Sequence, residues 1–267
     1  MNVLQAVVLG LVQGLSEFLP VSSSAHLALV PWLFGWRDPG LAFDVALHVG
    51  TLTAVLWYFR AEWWRLTLAA RDVIVRRDPN SLEQRRVMHL VVATIPGGIG
   101  GLLLQDYAET IFRAPALTAS AMIALGALLW AADRWRPQSR SLAEVRWTDA
   151  LWIGVAQVFA LVPGVSRSGA TMTAGRTLRL DRESAAVFSF LMSMPITAAA
   201  IILKAPDVLR AGGLGAEVFV GVVSAALSSW LAIAVLLRYV SRNSYGIFGL
   251  YRIVAGLVIL GLIASRG

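Results

Sequence analysis

The chain contains no cysteine, which excludes a disulfide framework, a thiolate nucleophile and a thiolate metal site, and leaves the redox compartment open. Histidine occurs three times, and neither His48 nor His89 has partners at zinc-ligand spacing. Lysine occurs once, at Lys204, so the basic residues are arginines, a bias that points to genome composition. Charged residues make up only 15% of the 267 positions, too few for an ordinary water-facing surface. The net charge of +7 would otherwise suggest a nucleic-acid partner. Here the basic residues sit mainly in short polar connections, which is a membrane-topology pattern, and no nucleic acid is expected. What fills the chain instead is apolar: 57% of residues and a mean hydropathy of +0.68, in runs approaching the roughly 20 residues that cross a bilayer. The chain therefore reads as a polytopic, all-α membrane protein surrounded by membrane lipid. Its apolar start does not read as a signal peptide, since the first basic residue is Arg37 and the segment holds Gln13 and Glu17.

Six segments have the length and composition of spanning helices, at 41–59, 87–105, 116–132, 184–203, 217–237 and 246–264. Residues 2–36 and 150–180 do not fit the series. Each is apolar but broken by Pro20 or Pro163 and followed by a serine-rich turn, with halves too short to span. Such segments read as re-entrant helical hairpins, although proline-kinked spans would also account for either one alone. Comparison of the two decides the matter. "GLVQGLSEFLPVSSS" (10–24) and "GVAQVFALVPGVSRS" (154–168) share Gly, Gln three residues later, Pro, and a Val-Ser-X-Ser tail. Each is followed by three spans, so the single domain 1–267 is read as two repeats, about 1–135 and 146–267. A hairpin plus three crossings reverses the side, which makes the repeats inverted and lets the two hairpins meet near the midplane. Arg167 is then expected to face Glu17.

Arginine placement orients this arrangement. The connection 60–86 carries Arg60, Arg65, Arg71, Arg76, Arg77, Arg85 and Arg86, and the same side has Arg134, Arg136, Arg140, Arg146, Arg238 and Arg242. The other side has only Arg37, Arg113, Lys204, Arg210 and Arg266. By the positive-inside rule the first group is cytoplasmic, and the N-terminus and the mouth of the first hairpin face outward. The loop at 60–86 needs no further role than setting topology.

The polar residues of the hairpins carry the chemistry. Gln13 and Glu17, four apart, share one helix face, and Ser22, Ser23, Ser24 and His26 follow Pro20. A carboxylate at membrane depth costs about a few kcal/mol. Glu17 alone could sit at the interface near water, but with these neighbours and Arg167 it reads as part of a site. Arginine and the N–H groups of a helix start bind anions, and a guanidinium matches a pair of phosphate oxygens. Ser166, Ser168 and Thr171 add hydroxyl donors. Glu17 can hold a hard divalent cation that also touches phosphate, and His26 can move a proton or attack phosphorus. The set suits phosphoryl transfer or hydrolysis. Asp44 and His48, four apart on the first span, are further candidates for the same cavity. "GVSRSG" is neither a Walker A loop nor Gly-x-Ser-x-Gly. His89 reads as a helix-end residue, and the glycines at 97, 98, 100 and 101 as aids to helix packing.

"QGLSEFLPVSSSAH" (13–26) and "PGVSRSGAT" (163–171) resemble the two signature motifs of the undecaprenyl-diphosphate phosphatase family, also called the bacitracin-resistance family. The likeness extends to "FDVALHVGTL" (43–52), "FSFLMSMP" (188–195) and the "YR" at 251–252, so it covers essentially the whole chain. It implies an integral enzyme of the bacterial cell membrane that removes the terminal phosphate of undecaprenyl diphosphate and returns the lipid carrier to peptidoglycan synthesis. It also implies inverted repeats with two re-entrant hairpins, a site open to the outside, and a divalent cation, Mg²⁺ or Ca²⁺. By this resemblance the family's motif glutamates fall on Gln13 and Glu17, its serines on Ser22 and Ser23, its histidine on His26, and its second motif on Ser166, Arg167, Ser168 and Thr171. Gln13 replaces a frequent glutamate and leaves one anionic metal ligand fewer, so weaker metal binding is expected; Ala25 stands where glycine often precedes the histidine.

The expected site therefore has Glu17, Ser23, His26 and Arg167 as catalytic residues. Gln13, Ser22, Ser24, Ser166, Ser168 and Thr171 bind the substrate, and Glu17 and Gln13 hold the metal. Either Ser23 or His26 attacks the terminal phosphate, or His26 activates water. A secondary transporter is the rival reading, because inverted repeats and a midplane site are hallmarks of transporters, although catalysis explains the density of anion-binding and proton-transferring groups more fully. Oligomeric state, a homodimer included, is left open by the sequence.

Overall fold

Hydrocarbon offers backbone N–H and C=O groups no partner but each other, so a chain this apolar is expected to fold into helices. The structure is a computed structural model that describes residues 1–76, 81–104, 107, 114–210 and 215–266, and among these no strand forms beyond one parallel bridge between Arg140 and Leu180. The helices are α1 (Val3–Phe18), α2 (Ser23–Phe34), α3 (Leu41–Tyr58), α4 (Arg60–Arg76), α5 (Leu82–Leu103), α6 (Pro115–Trp135), α7 (Trp147–Val158), α8 (Arg167–Thr177), α9 (Arg182–Arg210), α10 (Ala216–Val240) and α11 (Gly246–Arg266). Reciprocal capping boxes start two of them, Asn2 with Gln5 on α1 and Ser81 with Gln84 on α5. The six expected spans coincide with α3, α5, α6, α9, α10 and α11. Five are long and apolar enough to cross a membrane, and α3 joins them if counted with α4, from which it is bent by 82°. The chain is a multi-pass membrane protein, and exposed apolar side chains such as Ile95, Ile202, Leu227 and Leu257 supply its lipid-facing belt.

The connection from 60 to 86, expected as a loop, is helical through Arg76. The difference has a physical cause: α4 has its own apolar side, with Leu66 and Ala69 buried, and it packs on α5 while Arg60, Arg65 and Arg71 stay outside. Glu62 fixes the corner by pairing with Arg65 and with Arg86 at the start of α5. Arg77 and Arg113 lie outside the described residues.

The two broken segments form hairpins of short helices, α1 with α2 and α7 with α8. Each docks on the other half of the chain: α1 lies along α10, α7 lies along α5, and α3 meets α9 while α6 meets α11. The shared glycines explain how closely these helices approach. A Cβ on Gly10 would stand 2.3 Å from the Gly221 carbonyl on α10, and one on Gly154 would stand 2.3 Å from the Ala93 carbonyl on α5. At the end of the bundle where α6 finishes and α9 and α11 begin, buried Asp133 accepts from Arg176 Nε (2.9 Å), Arg182 Nε (2.8 Å) and the Tyr245 amide (2.9 Å). One carboxylate thus ties four elements together. The connection leading into α7 is held at the same end by Arg140, whose guanidinium grips Asp149 and the carbonyls of Glu144 and Leu178. Within that connection, the amide and hydroxyl of Ser141 hold the exposed Glu144 carboxyl below the usual carboxylate range.

Candidate active site

The two hairpin turns are built alike. Ser22 and Ser166, equivalent in the sequence comparison, both adopt left-handed backbone, with φ of +79° and +68°. Such angles strain a non-glycine residue, and their recurrence in two turns marks a shaped site. Each turn leads into a helix start, α2 or α8, where the first N–H groups have no acceptor within the helix; at α8 the Gly169 amide donates to Ser166 Oγ. Gly164 allows the turns to close: its φ is +94°, and a Cβ there would be 2.2 Å from the Thr118 carbonyl.

The turns touch directly. The Gly164 amide donates to Ser22 Oγ (3.2 Å), and Ser168 Oγ bonds to the carbonyls of Glu17 (3.1 Å) and Leu19 (3.2 Å). Behind them lies the fully buried Arg252 of α11. Its Nη2 donates to the carbonyls of Gly164 and Val165, both at 2.7 Å, and its Nη1 to that of Pro20 at 3.2 Å. One guanidinium therefore staples both turns, and no carboxylate pairs with it among the described residues.

In front of the turns is a cavity of about 260 Å³. Glu17, Ser23 and Ser24 line it from the first hairpin, and Gln157, Ser166 and Arg167 from the second; His48 of α3 and Thr197 of α9 complete its polar wall. Arg167 pairs with Glu17 across the two hairpins, as the sequence led one to expect. Its other nitrogen donates to Thr197 Oγ1 and to the Ser193 carbonyl. Glu17 also accepts from Ser23 Oγ at 2.5 Å and from Gln13 Nε2 at 3.2 Å, and His48 Nε2 stands 3.7 Å from it. Since His48 Nδ1 bonds to the Asp44 carbonyl at 2.7 Å, the Nε2 edge is the one turned to the cavity. Of the pair Asp44 and His48, then, His48 lines the cavity.

Ser22, Ser168 and Thr171 stand behind the wall. Ser22 and Ser24 share a hydroxyl contact of 3.3 Å, Ser166 and Ser168 one of 3.2 Å, and Thr171 bonds to the Arg167 carbonyl and to Ser189. These residues fix the turns that shape the cavity. His26 is turned away from it. Its Nδ1 bonds to the Ser22 carbonyl (2.7 Å) and its Nε2 to Tyr251 Oη (2.5 Å), with the two rings stacked. Thr197 was not singled out from sequence, and Gln157 and Arg252, noted there only as the repeated Gln and in the "YR" at 251–252, were not assigned to the site. Thr197 gave no signal among the small polar residues of an apolar span. Arg252 did give one: it is a charge within an apolar run.

Electrostatically, Glu17 neutralises one of the two arginines at the junction, Arg167 and Arg252, so the centre favours an anion. Among the described residues no group of three or more His, Asp or Glu forms a complete metal cage. A divalent cation nonetheless fits a smaller donor set. Gln13 Oε1 is buried with no hydrogen-bond partner among the described residues, and its amide nitrogen already contacts Glu17. An unpaired carboxamide oxygen beside a carboxylate suits a hard cation that takes its other ligands from phosphate and water.

The chain is similar to known proteins along nearly its whole length. The family described as Bacitracin resistance protein BacA matches residues 6–258. The chain is 59% identical, over the full length of both proteins, to an undecaprenyl-diphosphatase of Gemmatimonas aurantiaca. It is 48% identical to proteins of the same name from Pelotomaculum thermopropionicum, over all of this chain and 98% of the relative, and from Moorella thermoacetica, over the full length of both.

Proposed function

The chain belongs to the bacitracin resistance protein family and hydrolyses undecaprenyl diphosphate to undecaprenyl phosphate and phosphate, and we propose that it does so in the cavity between the two hairpin turns. This activity returns the lipid carrier to cell-wall synthesis and underlies bacitracin resistance. The observation that carries the assignment of the site is the Glu17–Arg167 pair, made across two hairpins, with the Ser23 hydroxyl on the same carboxylate.

In the free protein Glu17 and Arg167 compensate each other's burial. An arriving diphosphate offers Arg167 a doubly charged partner of matching geometry, and Glu17 is released from the pair. The helix starts at Ser23 and Arg167 then direct their N–H groups to the terminal phosphate. The Ser23 oxygen attacks phosphorus in line and its proton passes to Glu17. Undecaprenyl phosphate leaves with the bridging oxygen, its charge held by Arg167. Water, deprotonated by His48 Nε2, next attacks the phosphoserine; phosphate departs, and Glu17 returns to the Ser23 oxygen the proton it took. A divalent cation, Mg²⁺ or Ca²⁺, would be held by Glu17 and Gln13 and would supply charge neutralisation of the phosphate oxygens. His26, held by Tyr251, orients the turn of the first hairpin through the Ser22 carbonyl.

The same reading takes 1–135 and 146–267 as inverted copies in the bacterial inner membrane, with the N-terminus and the cavity mouth outside. The cavity's position supports this orientation. It is lined by the first half of α3 and the last halves of α5 and α9, which lie toward the end of the bundle opposite the arginine-rich α4 and the Asp133 cluster. The decisive experiment is phosphate release from undecaprenyl diphosphate by purified protein in detergent, with and without Mg²⁺ or Ca²⁺, beside an Arg167→Ala control. Metal-dependent release that vanishes in the control is expected. No release from the folded protein would transfer the cavity to a transporter.

A further inference from the structure

We propose that Gln157 is a further substrate-contacting residue, whose side-chain amide donates a hydrogen bond to a phosphoryl oxygen of the diphosphate; the inference rests on the cavity being the phosphatase site. Gln157 is the counterpart of Gln13 in the second hairpin. The two differ in what lies one turn further along the helix. Gln13 finds Glu17 four residues on and bonds to it, whereas four residues beyond Gln157 is Leu161, which offers nothing. The Gln157 residue is only 4% exposed, and neither Nε2 nor Oε1 has a hydrogen-bond partner among the described residues. Burying both ends of a carboxamide unpaired is costly, and a membrane interior supplies no compensation.

Two features show that the position is shaped around this amide. Gln157 lines the same cavity as Arg167, Ser166 and Ser23. On the facing helix, a Cβ at Gly97 would stand 2.1 Å from Gln157 Nε2, so the space the amide occupies exists because residue 97 has no side chain. The second glycine of "PGGIGG", Gly98, meets nothing. An amide with free donors beside an arginine and a helix start matches a phosphoryl oxygen. Being neutral, it adds a directed bond without adding charge.

The test compares wild type with Gln157→Leu, which keeps the bulk and removes the polar atoms. If the leucine variant does not fold, Gln157→Met takes its place. Three readouts are taken: kcat/KM for undecaprenyl diphosphate, inhibition by inorganic pyrophosphate, and the thermal midpoint in detergent. The expected result is a 10- to 30-fold lower kcat/KM, a similarly raised inhibition constant for pyrophosphate, and a midpoint equal to or above wild type, because an unpaired buried amide has been removed. A kcat/KM and pyrophosphate inhibition within twofold of wild type would overturn the inference. So would a loss of activity that only tracks a lowered midpoint. If wild type itself releases no phosphate, or Arg167→Ala is as active as wild type, the reading of the cavity has failed; if both behave as expected and only Gln157→Leu is unaffected, this inference alone has failed.

Discussion

Arg167 is bound at once to Glu17, Thr197 and the Ser193 carbonyl, so its guanidinium is preset before substrate arrives. A preset donor loses little on binding and most in the transition state. Arg167→Ala is expected to lower kcat by about 10³-fold, and Arg167→Lys, which keeps the charge but loses the planar fork, by about 10- to 100-fold. Phosphate-release kinetics measure both, and equal rates for the lysine variant and wild type would remove the fork from the mechanism. Ser23 is a sharper case, because its two roles predict different chemistry. If it is the nucleophile, Ser23→Ala falls below about 1% of wild-type kcat, and acid quenching of wild type during turnover traps a phosphoserine at that position. An alanine variant retaining a tenth of the rate, with no phosphoprotein in wild type, would assign the attack to water. The residue scale was the most legible in the sequence. A glutamate and an arginine in apolar segments demand each other, and the structure joins them. Direction was not legible: spacing placed His26 near the turn, but the hydroxyl of Tyr251, 225 residues away, turns its ring from the cavity.

At the scale of elements, the hairpins were visible because a Ser-X-Ser tail recurs at the same distance from a Gly and a Gln, with a proline between them that is offset by one residue. What holds them was not. The turns end in carbonyls that neither helix can satisfy, and Arg252 supplies the missing donors from a helix more than 80 residues from either turn in sequence. Replacing it by methionine leaves three buried carbonyls unpaired, at about 1–3 kcal/mol each. Arg252→Met is therefore expected to lower the thermal midpoint in detergent by at least about 5 °C and to abolish phosphate release, because both turns lose their common anchor. A variant that melts like wild type would show the turns to be self-supporting. The helix α4 was missed for a related reason. Its arginines were counted as loop charges, whereas the apolar residues between them, Leu66 and Ala69, are spaced to pack on α5.

For the whole molecule, the odd number of crossings after each hairpin and the uneven arginine distribution are two independent arguments about one topology. Asp133, Arg176, Arg182 and Tyr245 come together at one end, and the cavity lies toward the other. The absence of cysteine makes this scale open to a direct test, since any thiol introduced is the only one in the chain. Arg37 lies in the exposed connection between α2 and α3, and Asn243 in the exposed connection between α10 and α11. In intact cells a membrane-impermeant maleimide is expected to label Arg37→Cys and to spare Asn243→Cys until the membrane is opened. The reverse pattern would invert the orientation and set the cavity mouth toward the cytoplasm. Labelling of both in intact cells would mean that the chain inserts in two orientations, in which case the arginine bias is too weak to fix its topology.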